Sequence, residues 1–152
     1  MSKIGIIYAS VHHQNTKKLL QGIAKGFPVD LLTPAQAETA DLSQYGAVGF
    51  ASGIYFSKFH ESILSLVEKP LPFPKKAFLL YTSGSGGANY AKPLEEKLKS
   101  LGLSVLGVYR CKGYDTYGPW KLVGGIAKGH PSQADVEAGT VFLQNKILSK
   151  IN

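Results

Sequence analysis

Hydroxyl, amide and imidazole side chains follow the first apolar run of the chain. The run at residues 4–9 is typical of a buried strand, and a helical pattern begins directly after the polar residues. The first turn of a helix presents N–H groups without intrahelical acceptors and the positive end of its dipole, so it favours an anion. The side chains that would add contacts are Ser10, His12, Gln14, Asn15 and Thr16. This junction predicts a site for a phosphate monoester.

Other phosphate-handling loops need residues that this junction lacks. Neither the Gly-x-x-x-x-Gly-Lys-Ser/Thr of a P-loop nor the three spaced glycines of a dinucleotide fingerprint occurs here. A cysteinyl phosphatase needs a loop cysteine, whereas the only cysteine of the chain is Cys111. An aspartyl-phosphate enzyme needs an aspartate at the end of the first or third strand, where Ser10 and Ser52 stand. The loop is therefore predicted to hold a phosphate rather than to transfer one.

Strand and helix patterns alternate along the whole chain. Strands are predicted at residues 4–9, 29–32, 47–51, 77–81 and 104–109. Helices are predicted at residues 16–25, 59–67, 93–101 and 132–147, with a short, weak helix or connection at 34–42. Ser132 and Asp135 form a capping pattern for the last helix. Five apolar strands that alternate with helices predict one α/β domain, residues 1–152, with a doubly wound parallel sheet and helices on both faces.

The first strand, the polar loop, the order of elements and the chain length resemble the flavodoxin-like family. The phosphate loop of that family is typically Thr/Ser-x-Thr-Gly-x-Thr, and Ser10, Asn15 and Thr16 match it. His12 stands near the middle threonine, Gln14 stands where glycine is usual, and the loop is one residue longer. The resemblance covers nearly the whole chain. It implies FMN as the cofactor, the strand order 2-1-3-4-5, and a cleft outside the carboxyl ends of strands one, three and four.

Two further loops would reach that cleft and meet the flavin ring. After the third strand, Tyr55 and Phe56 are expected to pack on the flat ring, and Ile54 to add to the same apolar surface. The alternative is that both aromatic residues are ordinary core or surface residues that contact no ligand. After the fourth strand, small residues offer hydroxyls and N–H groups to the polar edge of the ring, or form a flexible lead-in to a helix. The predicted contacts there are Thr82, Ser83 and Gly84. His12 either binds the phosphate or faces solvent.

Composition narrows the class of protein. Of the 152 residues, 44% are hydrophobic and 18% are charged. No apolar run is long enough to span a bilayer, and the sequence has no signal-peptide pattern, so we expect a cytoplasmic protein without membrane insertion. The net charge of +7 comes from dispersed lysines rather than a basic stripe, so we do not expect nucleic-acid binding. No Cys/His cluster suggests a metal site, and Cys111 is expected to be a buried core residue rather than a redox thiol.

The functional prediction is an FMN-binding redox protein that mediates electron transfer. The resemblance also implies, as an alternative, a flavin-dependent oxidoreductase acting on a quinone or porphyrinogen, since residues 55–60 are similar to a loop of flavodoxin-like protoporphyrinogen oxidases. A flavin-free binding module is the third possibility, motivated by Gln14. The partner would be a redox protein or a small-molecule acceptor, and no side chain is assigned a catalytic role. Because carrier flavodoxins are typically acidic, the basic charge predicts a less negative second-electron potential.

The segment at residues 110–131 is longer than most connections in compact domains. It would form either a lid or partner surface beside the flavin, or a short helix at residues 121–127 on the sheet edge.

Overall fold

The computed structural model describes residues 3–10, 14–84, 89–113 and 130–151. The strands in these residues are β1 (Lys3–Ala9), β2 (Asp30–Leu32), β3 (Tyr45–Tyr55), β4 (Lys58–Phe59), β5 (Lys76–Ser83) and β6 (Ser104–Lys112). The helices are α1 (Asn15–Ala24), α2 (Pro34–Thr39), α3 (Glu61–Val67), α4 (Lys92–Ser100), α5 (Gln133–Phe142) and α6 (Ser149–Ile151). A 3₁₀ turn at Leu42–Gln44 precedes β3, and a π-helical segment at Leu143–Leu148 joins α5 to α6.

Five of these strands form a parallel sheet in the order β2-β1-β3-β5-β6. The short β4 lies off this path and pairs antiparallel with β3. Apart from β4, the order is the 2-1-3-4-5 arrangement expected from the sequence, so the doubly wound α/β prediction is confirmed. The carboxyl ends of β1, β3 and β5 therefore lie side by side.

Apolar side chains alternate between two cores, one on each face of the sheet. Helix α1 and the π-helical segment pack on one face through Leu19, Leu20, Ile23, Leu143 and Ile147. Helices α3 and α4 pack on the other through Ile63, Leu66, Val67, Leu94 and Leu98. Ile6 faces the first core and Ile7 the second, as the period of two in a strand requires. Burial of the central strands on both faces explains their continuous apolar sequence.

The chain after the third strand differs from the sequence prediction. Strand β3 extends to Tyr55, and Phe59, expected in a helix, lies in β4 with its side chain buried. Phe56 and Ser57 form the turn between β3 and β4 with φ of 51° and 66°, the positive values that a two-residue hairpin of type I′ needs at both central positions. Helix α3 starts only at Glu61, where His60 provides the N-cap. The predicted loop is therefore largely a β-hairpin.

The last helix begins as the sequence indicates. Ser132 caps α5, and its side chain accepts from the backbone N–H of Asp135 while the Asp135 carboxylate accepts from that of Ser132. The predicted lid or helix between β6 and α5 falls mainly on residues 114–129, which lie outside the described residues. Among the helices of the described part of the chain, none is long and apolar enough to cross a bilayer.

Candidate functional site: the carboxyl edge of the sheet

The end of β1 is fastened to the start of α1 by a side chain. Ser10 Oγ accepts a hydrogen bond of 3.1 Å from the backbone N–H of Lys17, one of the first-turn donors that a helix itself cannot satisfy. A serine hydroxyl that accepts one bond still carries a proton that it can donate. This contact thus holds a hydroxyl donor against the positive end of the α1 dipole, where an anion is favoured.

Gln14 holds the backbone conformation for which glycine is usual. It is the N-cap of α1, with φ 56° and ψ 35°, and its carbonyl accepts from Lys18 N–H at 2.9 Å. The left-handed region costs an ordinary L-residue about 1–2 kcal/mol. Position 14 therefore adopts the left-handed conformation with glutamine in place of glycine, so Gln14 by itself is no argument for a flavin-free module.

Substitution of Gln14 by glycine is expected to raise the free energy of unfolding by about 0.5–1 kcal/mol, because relief of the left-handed strain exceeds the added entropy of the unfolded chain. Urea unfolding measures the change. Gln14→Ala is the matched control, since it trims the side chain but keeps the Cβ atom, and it should bring no gain. A glycine variant less stable than the alanine variant would contradict this prediction.

A buried pair of hydroxyls connects the first loop to β5. Thr16 Oγ1 and Thr82 Oγ1 lie 3.1 Å apart, and the two residues are 1% and 3% exposed. Thr16 is the second residue of α1, and Thr82 is the penultimate residue of β5. The sequence assigned Thr16 to the phosphate and Thr82 to the ring, and the structure brings their side chains together.

The end of β6 also reaches the first loop, which the sequence analysis did not anticipate. The N–H of Gly113 donates to the carbonyl of Ser83 at 3.1 Å, so the chain continues alongside the end of β5. A Cβ atom at Gly113 would lie 2.7 Å from Asn15 Nδ2, closer than real contacts allow. Glycine therefore permits Asn15 to pack against this backbone. A glycine just beyond a strand was the available sequence signal.

The hairpin that follows β3 is anchored at its base by a residue that was not predicted to belong to the site. Fully buried Ser52 accepts from the backbone N–H of His60 at 2.9 Å and donates to the carbonyl of Gly53. The rings of Tyr55 and His60 make an edge-to-face contact with centroids 5.3 Å apart. These contacts fix the direction of the hairpin at the carboxyl edge.

The two predicted aromatic contacts occupy different positions. Tyr55 is half-buried against the hairpin base, with Ile54 preceding it in β3, whereas Phe56 at the tip is 83% exposed. Ser83 ends β5, and Gly84 follows it in a bend. His12 lies outside the described residues, as do residues 85–88 of the third loop. Contact of any of these residues with a flavin stays a prediction.

Cys111 lies beside Thr82 in the pairing of β5 with β6 and is 8% exposed. Burial, with a smaller contribution from the charge of Asp135, raises the pKa of its thiol to about 12. The thiol is therefore protonated at neutral pH, which suits a core residue and not a redox thiol. Among the described residues, no three His, Cys, Asp or Glu side chains are grouped so that they could hold a metal ion.

The chemistry of this edge fits the phosphate of FMN. Two hydroxyl groups, from Ser10 and Thr16, accompany the amino end of α1, and such groups donate to phosphate oxygens. The aromatic hairpin stands on the neighbouring strand, as stacking on a flat ring would require. Hydroxyl groups and an aromatic hairpin thus stand on adjacent strands at one edge of the sheet.

The fold is flavodoxin-like. A mutant flavodoxin of Fusobacterium nucleatum, bound to flavin mononucleotide, superposes with a TM-score of 0.66 at 13% identity, covering 100% of this chain and 98% of that one. The Flv1 flavodiiron core from Synechocystis sp. PCC6803 gives a TM-score of 0.59 at 22% identity over 94% of this chain. The match covers 35% of that solved core, so this chain spans about a third of its length.

By sequence, the chain is 39% identical over 142 residues to the uncharacterized protein MJ0298 of Methanocaldococcus jannaschii. The alignment covers 92% of this chain and 95% of the relative. The protein therefore belongs to the same family as MJ0298. No protein-family model matches the chain.

Proposed function

We propose that this protein binds FMN at the carboxyl edge of its sheet and mediates electron transfer. Ser10, Thr16 and the amino end of α1 hold the phosphate. The ends of β3 and β5 hold the ring, with Tyr55 on its flat side and Ser83 at its polar edge. The bond between Lys17 N–H and Ser10 carries the proposal, because it holds a hydroxyl against a helix terminus that favours an anion.

Five further predicted contacts extend this arrangement. Ile54 and Phe56 extend the apolar wall, Gly84 admits the ring edge without steric hindrance, and Asn15 and Gln14 shape the phosphate loop. The similarity to a flavodoxin whose structure contains flavin mononucleotide supports this choice of ligand. Bound FMN would supply one- and two-electron redox chemistry. The protein orients the ring, shields one side of it from water, and presents it to a redox protein or a small-molecule acceptor.

The proposal is tested by titrating flavin-free protein with FMN and, in parallel, with riboflavin, following the quenching of flavin fluorescence. Tight FMN binding and much weaker riboflavin binding are expected, since only FMN carries the phosphate. Equal affinity for both would contradict the phosphate site. Binding of neither ligand would overturn the proposed function and leave a binding module on the same fold.

The basic charge of the chain should make the potential of the second electron less negative than in an acidic carrier. The net charge is +7; exposed Lys58 begins β4, where it pairs with Tyr55, and exposed Lys112 ends β6, so both flank the proposed ring site. Positive charge stabilises the flavin as it gains negative charge. Lys58→Gln is expected to move this potential by about 10–40 mV to more negative values at low salt.

Spectroelectrochemical titration of the FMN-loaded protein measures the potential. Lys25→Gln is the matched control, because exposed Lys25 follows α1 at the opposite edge of the sheet and should change the potential far less. Salt should reduce the difference between the variants, as screening of exposed charges requires. A strongly negative second-electron potential in the unmodified protein would contradict the prediction.

A further inference from the structure

The hydroxyl of Thr82 faces the phosphate loop. It lies 3.1 Å from Thr16 Oγ1, and both residues are almost completely buried. Thr16 belongs to the first turn of α1, whose amino end would bind the phosphate. A residue expected from its loop position to contact the ring is therefore bonded to a residue of the phosphate site.

The sheet fixes the direction of the Thr82 side chain. Thr82 is paired with Gly53 of β3 on one side and with Cys111 of β6 on the other, so it lies within the ladder. The alternation of a strand puts Thr82 on the same face as Leu80, which belongs to the core that α1 covers. The contact with Thr16 thus follows from the register of β5 rather than from a freely rotating loop.

The hydroxyl groups of Thr16 and Thr82 have one proton each, and this limits which hydrogen bonds they can donate to a bound phosphate. Each hydroxyl has one proton to donate, and a phosphate dianion only accepts. If Thr16 donates to the phosphate, its oxygen can accept from Thr82, and a chain of bonds in this direction strengthens each member. If Thr16 instead donates to Thr82, no proton of Thr16 is left for the ligand.

We propose that Thr82 is a positioning residue of the phosphate site: it donates to Thr16 Oγ1 and thereby directs the Thr16 proton to the phosphate. This proposal rests on FMN binding at the carboxyl edge. It makes Thr82 a determinant of selectivity for the phosphorylated flavin, although its own hydroxyl does not touch the ligand. The phosphate site at α1 and the ring site are then linked through the end of β5.

The experiment compares Thr82→Val with Thr82→Ser. Valine keeps the branched shape that suits a strand but has no hydroxyl, whereas serine keeps the hydroxyl. We expect Thr82→Val to weaken FMN binding by about 3- to 10-fold, the range of one hydrogen bond, and riboflavin binding by less than about twofold. Thr82→Ser should restore most of the FMN affinity. Thermal unfolding verifies that each variant is folded.

A double-mutant cycle with Thr16→Val tests the coupling. If Thr82 acts through Thr16, its replacement should have little further effect on FMN binding once Thr16 has lost its hydroxyl. The double variant removes both buried hydroxyls together, so it leaves neither threonine partner unsatisfied and is expected to fold. Additive losses, or equal losses for FMN and riboflavin, would overturn the proposal in favour of a direct ring contact.

Flavin binding by the unmodified protein shows whether only the role of Thr82 fails or the proposed function fails as well. If it prefers FMN to riboflavin and Thr82→Val leaves that preference unchanged, the positioning role is wrong and the proposed function stands. If it binds neither flavin, the proposed function fails, and the role of Thr82 fails with it.

Discussion

Replacement of Ser10 by alanine is expected to weaken FMN binding by about 10- to 100-fold, while riboflavin binding changes by less than about twofold. Ser10 Oγ holds the N–H of Lys17 and presents its own proton near the amino end of α1. A hydrogen bond to a charged group contributes about 1.5–3 kcal/mol, and the loss of the helix contact also loosens the loop. Only a ligand with a phosphate should be affected to this extent.

Two variants control for a general structural effect. Ser10→Thr keeps the hydroxyl and should retain most of the FMN affinity. Ser43→Ala removes an exposed serine hydroxyl from the 3₁₀ turn before β3, away from the carboxyl edge, and should leave both affinities unchanged. Parallel titrations with FMN and riboflavin give the comparison. If Ser10→Ala weakened both ligands equally, Ser10 would act only on the fold of the loop.

The strands and helices were predictable because the strong local signals agreed with one another, whereas their order in the sheet followed from the resemblance to the flavodoxin-like family. Apolar runs alternate with amphipathic helices, and the serine and aspartate that cap α5 stand at the spacing that the capping contacts require. That Gln14 adopts a positive φ was not predictable, since its residue type alone disfavours that conformation.

The hairpin was not predictable from turn chemistry. Type I′ turns favour Asn-Gly or Asp-Gly, but this turn consists of Phe56 and Ser57. Phe59 also stands four residues before Ile63, the spacing of one helix face, so periodicity alone extended α3 into β4. The backbone contact from His60 to Ser52 that closes the hairpin is visible only in the folded structure.

Contacts between distant parts of the chain set the finer structure of the site. The direction of Thr82 depends on the register of β5 with its neighbours, and the packing of Asn15 depends on where Gly113 leaves β6. Neither the register nor the path of the chain has a local signature. Residue type therefore predicted some of the groups that the structure places at the carboxyl edge, but not Ser52 or Gly113, and not which groups bond to each other.

A glycine in the centre of the sheet leads to the largest expected effect on stability. Gly49 of β3 lies opposite Phe78 of β5, and the fully buried ring of Phe78 covers it. A Cβ atom on Gly49 would lie 2.4 Å from Phe78 Cε2, and Phe78 also contacts the ring of Phe142, with centroids 6.3 Å apart. Gly49→Ala is expected to lower the free energy of unfolding by about 2–3 kcal/mol, because a close-packed core cannot absorb the added methyl group.

Urea unfolding measures this loss, and Gly26→Ala is the matched control. Apart from Gly26 and its chain neighbours, no heavy atom of the described residues lies within 4 Å of a Cβ at Gly26, so alanine there should be neutral or slightly stabilising. Phe78→Leu supplies a second test: the smaller side chain should cost less in the Gly49→Ala background than in the unmodified protein, with a coupling above about 0.5 kcal/mol. If the losses were additive, the added methyl group would have to clash with another part of the core. Relief of a clash with the Phe78 ring must appear as coupling between positions 49 and 78.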